Sequence, residues 1–214
     1  MKIQTLLASL LVSGAAMAQT PTMKPIVMKT PNEFYILAAS GNGKWACGTY
    51  SDYSNEQYGF LWNLETGEIE MLDPSKPSVA WAVSDDGLVV GTFEDTSYKS
   101  NGAAVELAGY WANGKWNRFE MPSDDVTSSG AASISPDGHY VTGNVQESGI
   151  YTGYIWKDGK IVKELPNTNC SMPYAIAPDG QSAAGWIERD NRTACIWEAD
   201  GEVTFLSEYQ SPCS

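Results

Sequence analysis

Few residues in this sequence have the chemistry and spacing of an active site. His139 is the only histidine, which excludes a His-rich metal centre. A Ser-His-Asp triad would need a nucleophile beside it, and no GxSxG motif occurs. The motifs GxGxxG, GKS/T and HExxH are also missing from the sequence. Because His139 directly follows an Asp-Gly turn, we interpret it as a surface residue without a catalytic role.

Paired carboxylates are the one catalytic arrangement that the composition permits, because glycoside hydrolysis needs only two Asp or Glu residues at a suitable separation. The candidates lie in variable segments before a repeated Trp strand: Asp52, Glu94, Glu147 and Glu188. The alternative interpretation is that all four are solvated loop charges. The acidity of the chain also suggests a calcium site as a hypothesis. The DxDxDG loop that is typical of such sites is missing from the sequence. We therefore expect no metal and no cofactor.

The charge and composition exclude several classes of protein. The chain has 214 residues and a formal net charge of −13, with 43% hydrophobic and 11% aromatic residues. Such a composition can fill a hydrophobic core, so global disorder is not expected. The acidity argues against nucleic acid as a partner, since phosphate contacts need clustered Lys and Arg. It argues equally against binding to a membrane surface through basic residues.

The first eighteen residues (1–18) have the pattern of a secretory signal peptide. Lys2 gives a basic start, and the mostly apolar run from Thr5 to Met17 is 13 residues long. The small residues around Met17 predict cleavage after Ala18 and a secreted or periplasmic chain. A membrane anchor is the alternative, but the run is shorter than the roughly 17 residues of a membrane span. We expect no membrane insertion of the mature chain.

Four cysteines in an exported chain predict up to two disulfide bonds, in one of three pairings. They are Cys47, Cys170, Cys195 and Cys213. Their spacing lacks the CxxC pairs that are typical of structural zinc sites. Cys170 and Cys213 fall in segments predicted to be exposed linkers, where a disulfide bond would fit.

A fourfold internal repeat is the dominant feature of the sequence. Its most visible part is a strand that ends in Trp, in the copies Gly59-Phe60-Leu61-Trp62, Gly109-Tyr110-Trp111, Gly153-Tyr154-Ile155-Trp156 and Ala194-Cys195-Ile196-Trp197. The second copy is one residue shorter, and the Trp residues are 49, 45 and 41 positions apart. Because Trp recurs at one slot, we interpret all four as core residues between neighbouring units. Trp116 aligns with Ile69, Ile161 and Val203 and is interpreted as core as well.

Turns that contain glycine frame each of these strands. The upstream turns are Ser84-Asp85-Asp86-Gly87, Ser135-Pro136-Asp137-Gly138 and Ala177-Pro178-Asp179-Gly180, with a looser copy at Ser40-Gly41-Asn42-Gly43. Gly87, Gly138 and Gly180 fit the positive φ of tight hairpin turns, and the preceding Asp residues fit turn geometry. A second glycine follows each turn, at Gly48, Gly91, Gly143 and Gly185.

Each unit therefore contains four short strand candidates, which in the third unit are 132–134, 140–144, 152–156 and 160–165. Four antiparallel strands in 41 to 49 residues are the content of one propeller blade. The sequence predicts an all-β protein, a β-propeller domain over 19–214 with four recognisable four-stranded blades. Their approximate ranges are 36–74, 79–122, 131–166 and 173–206. Sustained helical periodicity is not found.

The repeat resembles two known families. Ser135-Pro136-Asp137-Gly138 with the following Trp strand is similar to extracellular HAF-type repeats and to the SPDG-type blades of TolB-like propellers. The resemblance extends from about Ile36 to Leu206, and it implies an exported protein with a scaffolding or binding role. The turns also resemble sialidase Asp-boxes, but those need a residue between Asp and Gly, so the sialidase assignment is unsupported.

The ends of the repeat leave the closure of the ring open. The segment 26–31 aligns with the outer strand Ile161–Pro166 and forms an orphan outer strand. The last unit already has its own outer strand at Glu202–Leu206. Three alternatives follow: a truncated member of a longer family, closure by a second copy, or a compact four-blade ring with a spare strand. Open sheet edges would favour a homo-oligomer.

Binding is the function that this architecture suits best, because propellers expose loops and a channel on rigid blades. Aromatic residues that depart from the repeat are the candidate ligand contacts. Trp81 and Tyr174 share the slot that begins the innermost strand, together with Leu37 and Ala132. Trp186 stands where other units have Thr or Asn, and Tyr53 lies in a Tyr-rich segment with Tyr50 and Tyr58. Core packing is the alternative role for each.

Three functional hypotheses remain. The leading one is an exported, non-catalytic β-propeller repeat protein that binds an unidentified protein, glycan or envelope component. The second is a propeller glycoside hydrolase, or a remnant of one, that uses paired carboxylates. The third is a truncated gene product without independent function. The sequence favours a non-enzyme but names no ligand.

Overall fold

Sixteen β-strands form the part of the chain that the computed structural model describes, which is 33–51, 56–100, 103–166, 169–188 and 191–206. They make four antiparallel sheets, each of four consecutive strands. No α-helix occurs within these ranges, and hence none long and apolar enough to cross a membrane. The prediction of an all-β propeller with four-stranded blades is confirmed. The predicted signal 1–18 and orphan strand 26–31 lie outside the described residues.

Each sheet is one blade, numbered here in chain order. Blade 1 contains β1 (Glu33–Ala39), β2 (Trp45–Ser51), β3 (Gln57–Asn63) and β4 (Ile69–Met71). Blade 2 contains β5 (Ser78–Val83), β6 (Val89–Ser100), β7 (Ala103–Ala112) and β8 (Lys115–Arg118). Blade 3 contains β9 (Val126–Ile134), β10 (Tyr140–Glu147), β11 (Ile150–Lys157) and β12 (Lys160–Glu164). Blade 4 contains β13 (Cys170–Ile176), β14 (Ala183–Glu188), β15 (Arg192–Trp197) and β16 (Val203–Phe205).

The hydrophobic core lies between adjacent blades. One cluster joins Leu72 of blade 1 to Ala80 and Phe93 of blade 2, and two further clusters join blades 2 and 3 and blades 3 and 4. The first strand of each following blade packs against the first three strands of the blade before it. Among the described residues, no comparable packing joins blade 4 to blade 1. The four blades therefore form an open arc whose inner side is lined by β1, β5, β9 and β13.

The repeated Trp of blades 2, 3 and 4 donates a hydrogen bond to the preceding blade. Trp156 donates its Nε1 hydrogen to the carbonyl of Glu120 at 2.8 Å, and Trp197 donates to the carbonyl of Pro166 at 2.9 Å. Trp111 donates to the Glu70 carboxylate of blade 1 at 2.9 Å. Trp156 and Trp197 are fully buried and Trp62 is nearly so. Trp116 lies opposite Trp111 in the strand register, as Ile69, Ile161 and Val203 lie opposite their own Trp residues.

Buried serines form a second tie between blades, which the sequence analysis missed. Ser78, Ser129 and Ser171 begin the inner part of each following blade and are buried. Their hydroxyl oxygens accept hydrogen bonds from backbone N–H groups of the preceding blade, with N to Oγ distances of 2.7 to 3.0 Å. The donors are Gly59, Ala108 and Gly153. The signal was available, since a serine recurs at this slot in three of the four units.

The second blade corrects two details of the sequence alignment. The strand register places Trp111 opposite Val89 and Gly109 opposite Gly91, so blade 2 has no deletion. Gly109 occupies the slot of Phe60, and the neighbouring ring of Phe93 fills the space that a side chain there would need. The predicted range 79–122 also extends past the end of the outer strand, β8. Phe119 is the equivalent of Leu72 and Leu165, because its N–H bonds the third strand in the same way.

The upstream turns have one conformation in all four blades. Gly43, Gly87, Gly138 and Gly180 have φ values of 71°, 90°, 80° and 70°. The Ser135 hydroxyl donates to the Asp137 carboxylate, which also accepts the His139 N–H at 3.1 Å. Asp179 accepts the Gln181 N–H in the same manner. These carboxylates are used within their own turns, where they hold the hairpins that aim the strands.

Candidate binding site

The innermost strand of every blade contains one β-bulge at the same position. The extra residues are Leu37, Trp81, Ala132 and Tyr174, which have no cross-strand partner. A bulge redirects the side chain of its extra residue. Leu37, Trp81 and Tyr174 are 41%, 44% and 53% exposed, although each is a large apolar or aromatic residue. The structure therefore places predicted contacts Trp81 and Tyr174 at equivalent, solvent-facing points on the inner side of the arc.

Trp81 lines a cavity between the first two blades. Its Nε1 donates to the Thr92 hydroxyl at 3.2 Å, which fixes the orientation of the ring. The cavity has a volume of about 310 Å³, and blade 1 contributes Glu56 and Gln57 to its wall. Glu106 of β7 closes the same cavity. An exposed indole thus stands beside at least two carboxylates.

Two carboxylates lie directly opposite each other on β6 and β7. The register pairs Glu94 with Glu106, two residues along from Thr92 and Ala108. Directly opposed residues of an antiparallel pair have Cβ atoms about 4.5 to 5.5 Å apart and share one face of the sheet. The ion pairs of the described residues are Arg118–Asp95, His139–Asp158 and Lys160–Glu120, so none of them neutralises this pair. Opposed like charges destabilise a sheet, which makes their presence on one face notable.

The equivalent positions of blade 4 hold a different set of residues. Trp186 pairs with Met172 as Thr92 pairs with Val79, and Glu188 pairs with Arg192 as Glu94 pairs with Glu106. The Arg192 guanidinium lies 4.8 Å from the centre of the Trp186 ring, within cation–π range. Trp186, one of the predicted ligand contacts, is half-buried and lines a cavity of about 640 Å³. Its ring is already covered by the guanidinium of Arg192 from the same blade.

The described part of the Tyr-rich segment lies on the β2–β3 hairpin of blade 1. Tyr53 falls in the segment 52–55, outside the described residues. Tyr50 and Tyr58 of the Tyr-rich segment lie on β2 and β3, directly opposite each other, with ring centres 5.3 Å apart. The strands of this hairpin extend further than the sequence pattern indicated, because cross-strand aromatic pairs stabilise them.

Glu147 and His139 each have a hydrogen-bond partner outside this site. Asp52 falls outside the described residues, and the Glu147 carboxylate accepts a hydrogen bond from the Ser123 hydroxyl. The exposed His139 ring nitrogen Nδ1 lies 2.6 Å from the Asp158 carboxylate. This hydrogen bond, together with the charge of Asp158, raises the pKa of His139. Within the described ranges, no three His, Cys, Asp or Glu side chains are grouped as metal ligands.

The described cysteines are free thiols. Cys47, Cys170 and Cys195 are buried and form no disulfide bond with one another, while Cys213 lies outside the described residues. The prediction that Cys170 lies in an exposed linker is wrong, because it begins β13 and is covered there. Burial raises the pKa of Cys47 to about 12 and that of Cys195 to about 11. Such thiols stay protonated at neutral pH and act as small apolar core residues.

Known structures share the blade architecture of this chain. Neither a protein-family model nor a curated protein matches the sequence. TolB from Acinetobacter baumannii superposes with a TM-score of 0.53 and 18% identity, over 77% of this chain and 40% of that one. The putative TolB from Agrobacterium tumefaciens gives 0.55 and 15%, over 78% of this chain and 62% of that one. The chain has a TolB-like β-propeller fold.

At these identities the TolB-like likeness concerns the fold alone. The chain spans 40% and 62% of the lengths of the two TolB structures, so it corresponds to part of each. Among the described residues, the face around Trp81 combines an exposed aromatic ring, a cavity and two opposed carboxylates without an ion-pair partner.

Proposed function

We propose that this protein is a non-catalytic binding module that recognises a polypeptide segment through a Lys or Arg side chain. The site is the blade 2 face formed by Trp81, Glu94 and Glu106. The observation that supports this proposal is the comparison of blades 2 and 4. Where blade 4 has Arg192 on Trp186 and opposite Glu188, blade 2 has a second carboxylate, Glu106, opposite Glu94. A cation from a partner would complete blade 2 as Arg192 completes blade 4.

The chemistry of the site favours a cation over other groups. A cation over an indole ring is stabilised by about 0.5 to 2 kcal/mol, depending on how well water is excluded. Hydrogen bonds between a charged donor and carboxylates contribute about 1.5 to 3 kcal/mol each. The net charge of −13 adds long-range attraction for a basic partner. A neutral sugar would stack on Trp81 and donate hydroxyl hydrogen bonds to the carboxylates, but it would leave their negative charge uncompensated.

A polypeptide is the proposed ligand because the apolar residues of the site form a series along the inner side of the arc. Leu37 of blade 1 and Tyr174 of blade 4 repeat the exposed position of Trp81. An extended peptide presents side chains of different chemistry at regular intervals, so one cation and flanking apolar groups can meet this surface. Each single contact is weak, and several together would give useful affinity.

We also propose that the protein is exported, to the periplasm or outside the cell. The support is the predicted signal peptide, with its basic start, 13-residue apolar run and cleavage motif. Determination of the N-terminus of protein recovered from the periplasm or medium tests this. Gln19 is the expected first residue, and an intact N-terminus in the cytosolic fraction would contradict export.

The binding proposal is tested by calorimetric titration of the full chain with three small probes. These are acetyl-Gly-Lys-Lys-Gly amide, acetyl-Gly-Glu-Glu-Gly amide and chitotetraose. We expect binding of the lysine peptide alone, weakened at least tenfold in E94Q/E106Q. The matched control is E65Q/E202Q, which changes the charge equally at exposed turn residues and should bind as the wild type does. Equal weakening in both variants would reduce the effect to net charge and contradict the site.

A glycoside hydrolase is the second candidate, favoured by the opposed Glu94 and Glu106. Its acid would need a carboxyl group in a water-poor pocket, where burial keeps it protonated. Glu94 is half-buried and Glu106 is exposed, so neither side chain lies in such a water-poor pocket. Binding of chitotetraose, with hydrolysis of aryl glycosides that is lost in E94Q, would favour the enzyme over the peptide-binding module.

A further inference from the structure

The last side chain of each blade shows how one blade covers the next. Leu72, Phe119 and Leu165 follow the outer strands of blades 1, 2 and 3, and each is at most 3% exposed because the next blade covers it. Leu206 has the same position in blade 4, since its N–H bonds the carbonyl of Ala194 as that of Leu165 bonds Gly153. Leu206 is 51% exposed. Among the described residues, its side chain lacks the cover that its three equivalents have.

The innermost strand shows the opposite half of the same contact. Ala80, Ala131 and Pro173 pair with the second glycine of their blades and are buried beneath the preceding blade. Ile36 pairs with Gly48 in the same way but is 52% exposed. We call the side of blade 1 that carries Ile36 its front face, and the side of blade 4 that carries Leu206 its back face. The equivalent faces of neighbouring blades pack together at each junction within the chain.

A buried donor marks the front face of blade 1 independently. Trp62 is 4% exposed, and its Nε1 has no hydrogen-bond partner among the described residues. The equivalent nitrogens of Trp111, Trp156 and Trp197 all donate to oxygens of the preceding blade. A buried donor without an acceptor costs about 1 to 3 kcal/mol. Trp116 Nε1 is also buried without an acceptor among the described residues, so a missing acceptor does not by itself mark an end face. Trp62 is distinguished by the comparison with its three equivalents, whose acceptors come from the preceding blade.

We propose that the back face of blade 4 packs on the front face of blade 1 of a second copy, giving a head-to-tail dimer. Each copy carries both halves of the contact, so two equivalent interfaces related by a two-fold axis close a ring. The four described blades of each copy give a ring of eight, which is within the usual range of four to eight. Both exposed groups at each interface, Leu206 and Ile36, are apolar and would be removed from water together.

The first blade also shows where this contact differs from the internal ones. Phe34 occupies the slot of the buried serines, since it pairs with Tyr50 as Ser78 pairs with Phe93. Phe34 stacks on Tyr50 and meets Phe60 edge-on, with ring centres 5.5 and 5.0 Å away. The intermolecular contact is therefore more apolar than the internal ones and spaced further apart by larger side chains. It is independent of the ligand proposed for Trp81.

Sedimentation velocity of the full chain over 1 to 200 µM tests the dimer. The chain mass is 23.2 kDa, and we expect a concentration-dependent species of twice that mass. I36D and L206D should each be monomeric over this range, with affinity weakened at least tenfold. The control is V162D, because Val162 is 53% exposed on an outer strand away from both end faces. V162D should dimerise as the wild type does.

Mixing the two variants gives the sharpest outcome. I36D retains a normal Leu206, and L206D retains a normal Ile36, so the mixture can form one intact interface while neither variant alone can. Dimers in the mixture would support head-to-tail packing. A monomeric wild type at 200 µM, dimers that persist in I36D and L206D, or loss of the dimer in V162D would overturn the proposal. Circular dichroism checks folding, and I36S and L206S replace any variant that unfolds.

Discussion

A Cβ atom on Gly143 would lie 2.0 Å from the carbonyl oxygen of Gly130. The bulge at Ala132 brings the inner strand this close to the second strand of blade 3. A Cβ atom added to Gly48, Gly91 or Gly185 would likewise lie 1.9 to 2.1 Å from a carbonyl oxygen. The second glycine of the repeat is thus the residue that allows the bulge, and the bulge is what exposes Trp81 and Tyr174.

Gly143→Ala should destabilise the protein by about 2 to 4 kcal/mol, because the new methyl group must push backbone aside. Urea unfolding followed by circular dichroism measures the change. Gly59→Ala is the matched control, since its Cβ meets nothing closer than 3.4 Å and blades 2 and 4 have Ala108 and Ala194 at that slot. Equal losses of stability in the two variants would contradict the close-contact explanation.

Trp156→Phe should cost about 1 kcal/mol more than Trp62→Phe in the free energy of unfolding. Both changes shrink an indole to a phenyl ring, but Trp156 also loses its bond to the Glu120 carbonyl. The Trp62 nitrogen has no partner to lose among the described residues. Urea unfolding at 1 µM, below the concentrations at which the dimer is expected, makes the comparison. A larger loss for Trp62→Phe would show that its nitrogen is bonded within the monomer.

His139 should titrate above its ordinary pKa of about 6.5 and fall toward it in Asp158→Asn. The hydrogen bond to Asp158 raises the pKa, so this contact is fully formed below pH 6.5 and weakens as the pH rises through the raised value. NMR titration of the ring protons measures it without overlap, because the chain has one histidine. An unchanged pKa in Asp158→Asn would contradict the contact.

Alkylation should report the burial of the three described cysteines. Cys47, Cys170 and Cys195 are buried, and burial raises the pKa of all three thiols. In native buffer at pH 7.5, iodoacetamide should leave these three unmodified for hours, and in denaturant it should modify them within minutes. Peptide mass mapping reads each site separately. Rapid native labelling of Cys47 would contradict the packing between blades 1 and 2.

Local signals explain why the blades could be predicted from the sequence. Each Asp-Gly turn and each Trp slot acts within a few residues, and their recurrence fixed the number of strands and sheets. The equivalence of Trp116 with Ile69, Ile161 and Val203 followed from the same spacing and is confirmed. Alignment of the repeats also showed that Trp81 and Tyr174 share one slot, but it placed this slot at the start of the innermost strand, whereas the structure has it inside β5 and β13, at a bulge.

The site depends on contacts that spacing does not encode. Glu106 lies opposite Glu94 because the register that pairs Val89 with Trp111 continues unbroken as far as Asp95, whereas the sequence alignment assumed a one-residue deletion in this strand. Arg192 on Trp186 likewise follows from the register of a single hairpin. The error at Cys170 has a different origin, since the burial of a strand end depends on the neighbouring blade.

The indole signals in a ¹H–¹⁵N NMR spectrum test most directly whether a cation binds at Trp81. The Trp81 signal is assigned by its loss in Trp81→Phe, and the labelled full chain is titrated with acetyl-Gly-Lys-Lys-Gly amide. We predict a saturable shift of the Trp81 signal that is absent in E94Q/E106Q, while the buried Trp116 signal stays in place. A Trp81 signal that does not move, or that moves equally in E94Q/E106Q, would contradict the proposed site.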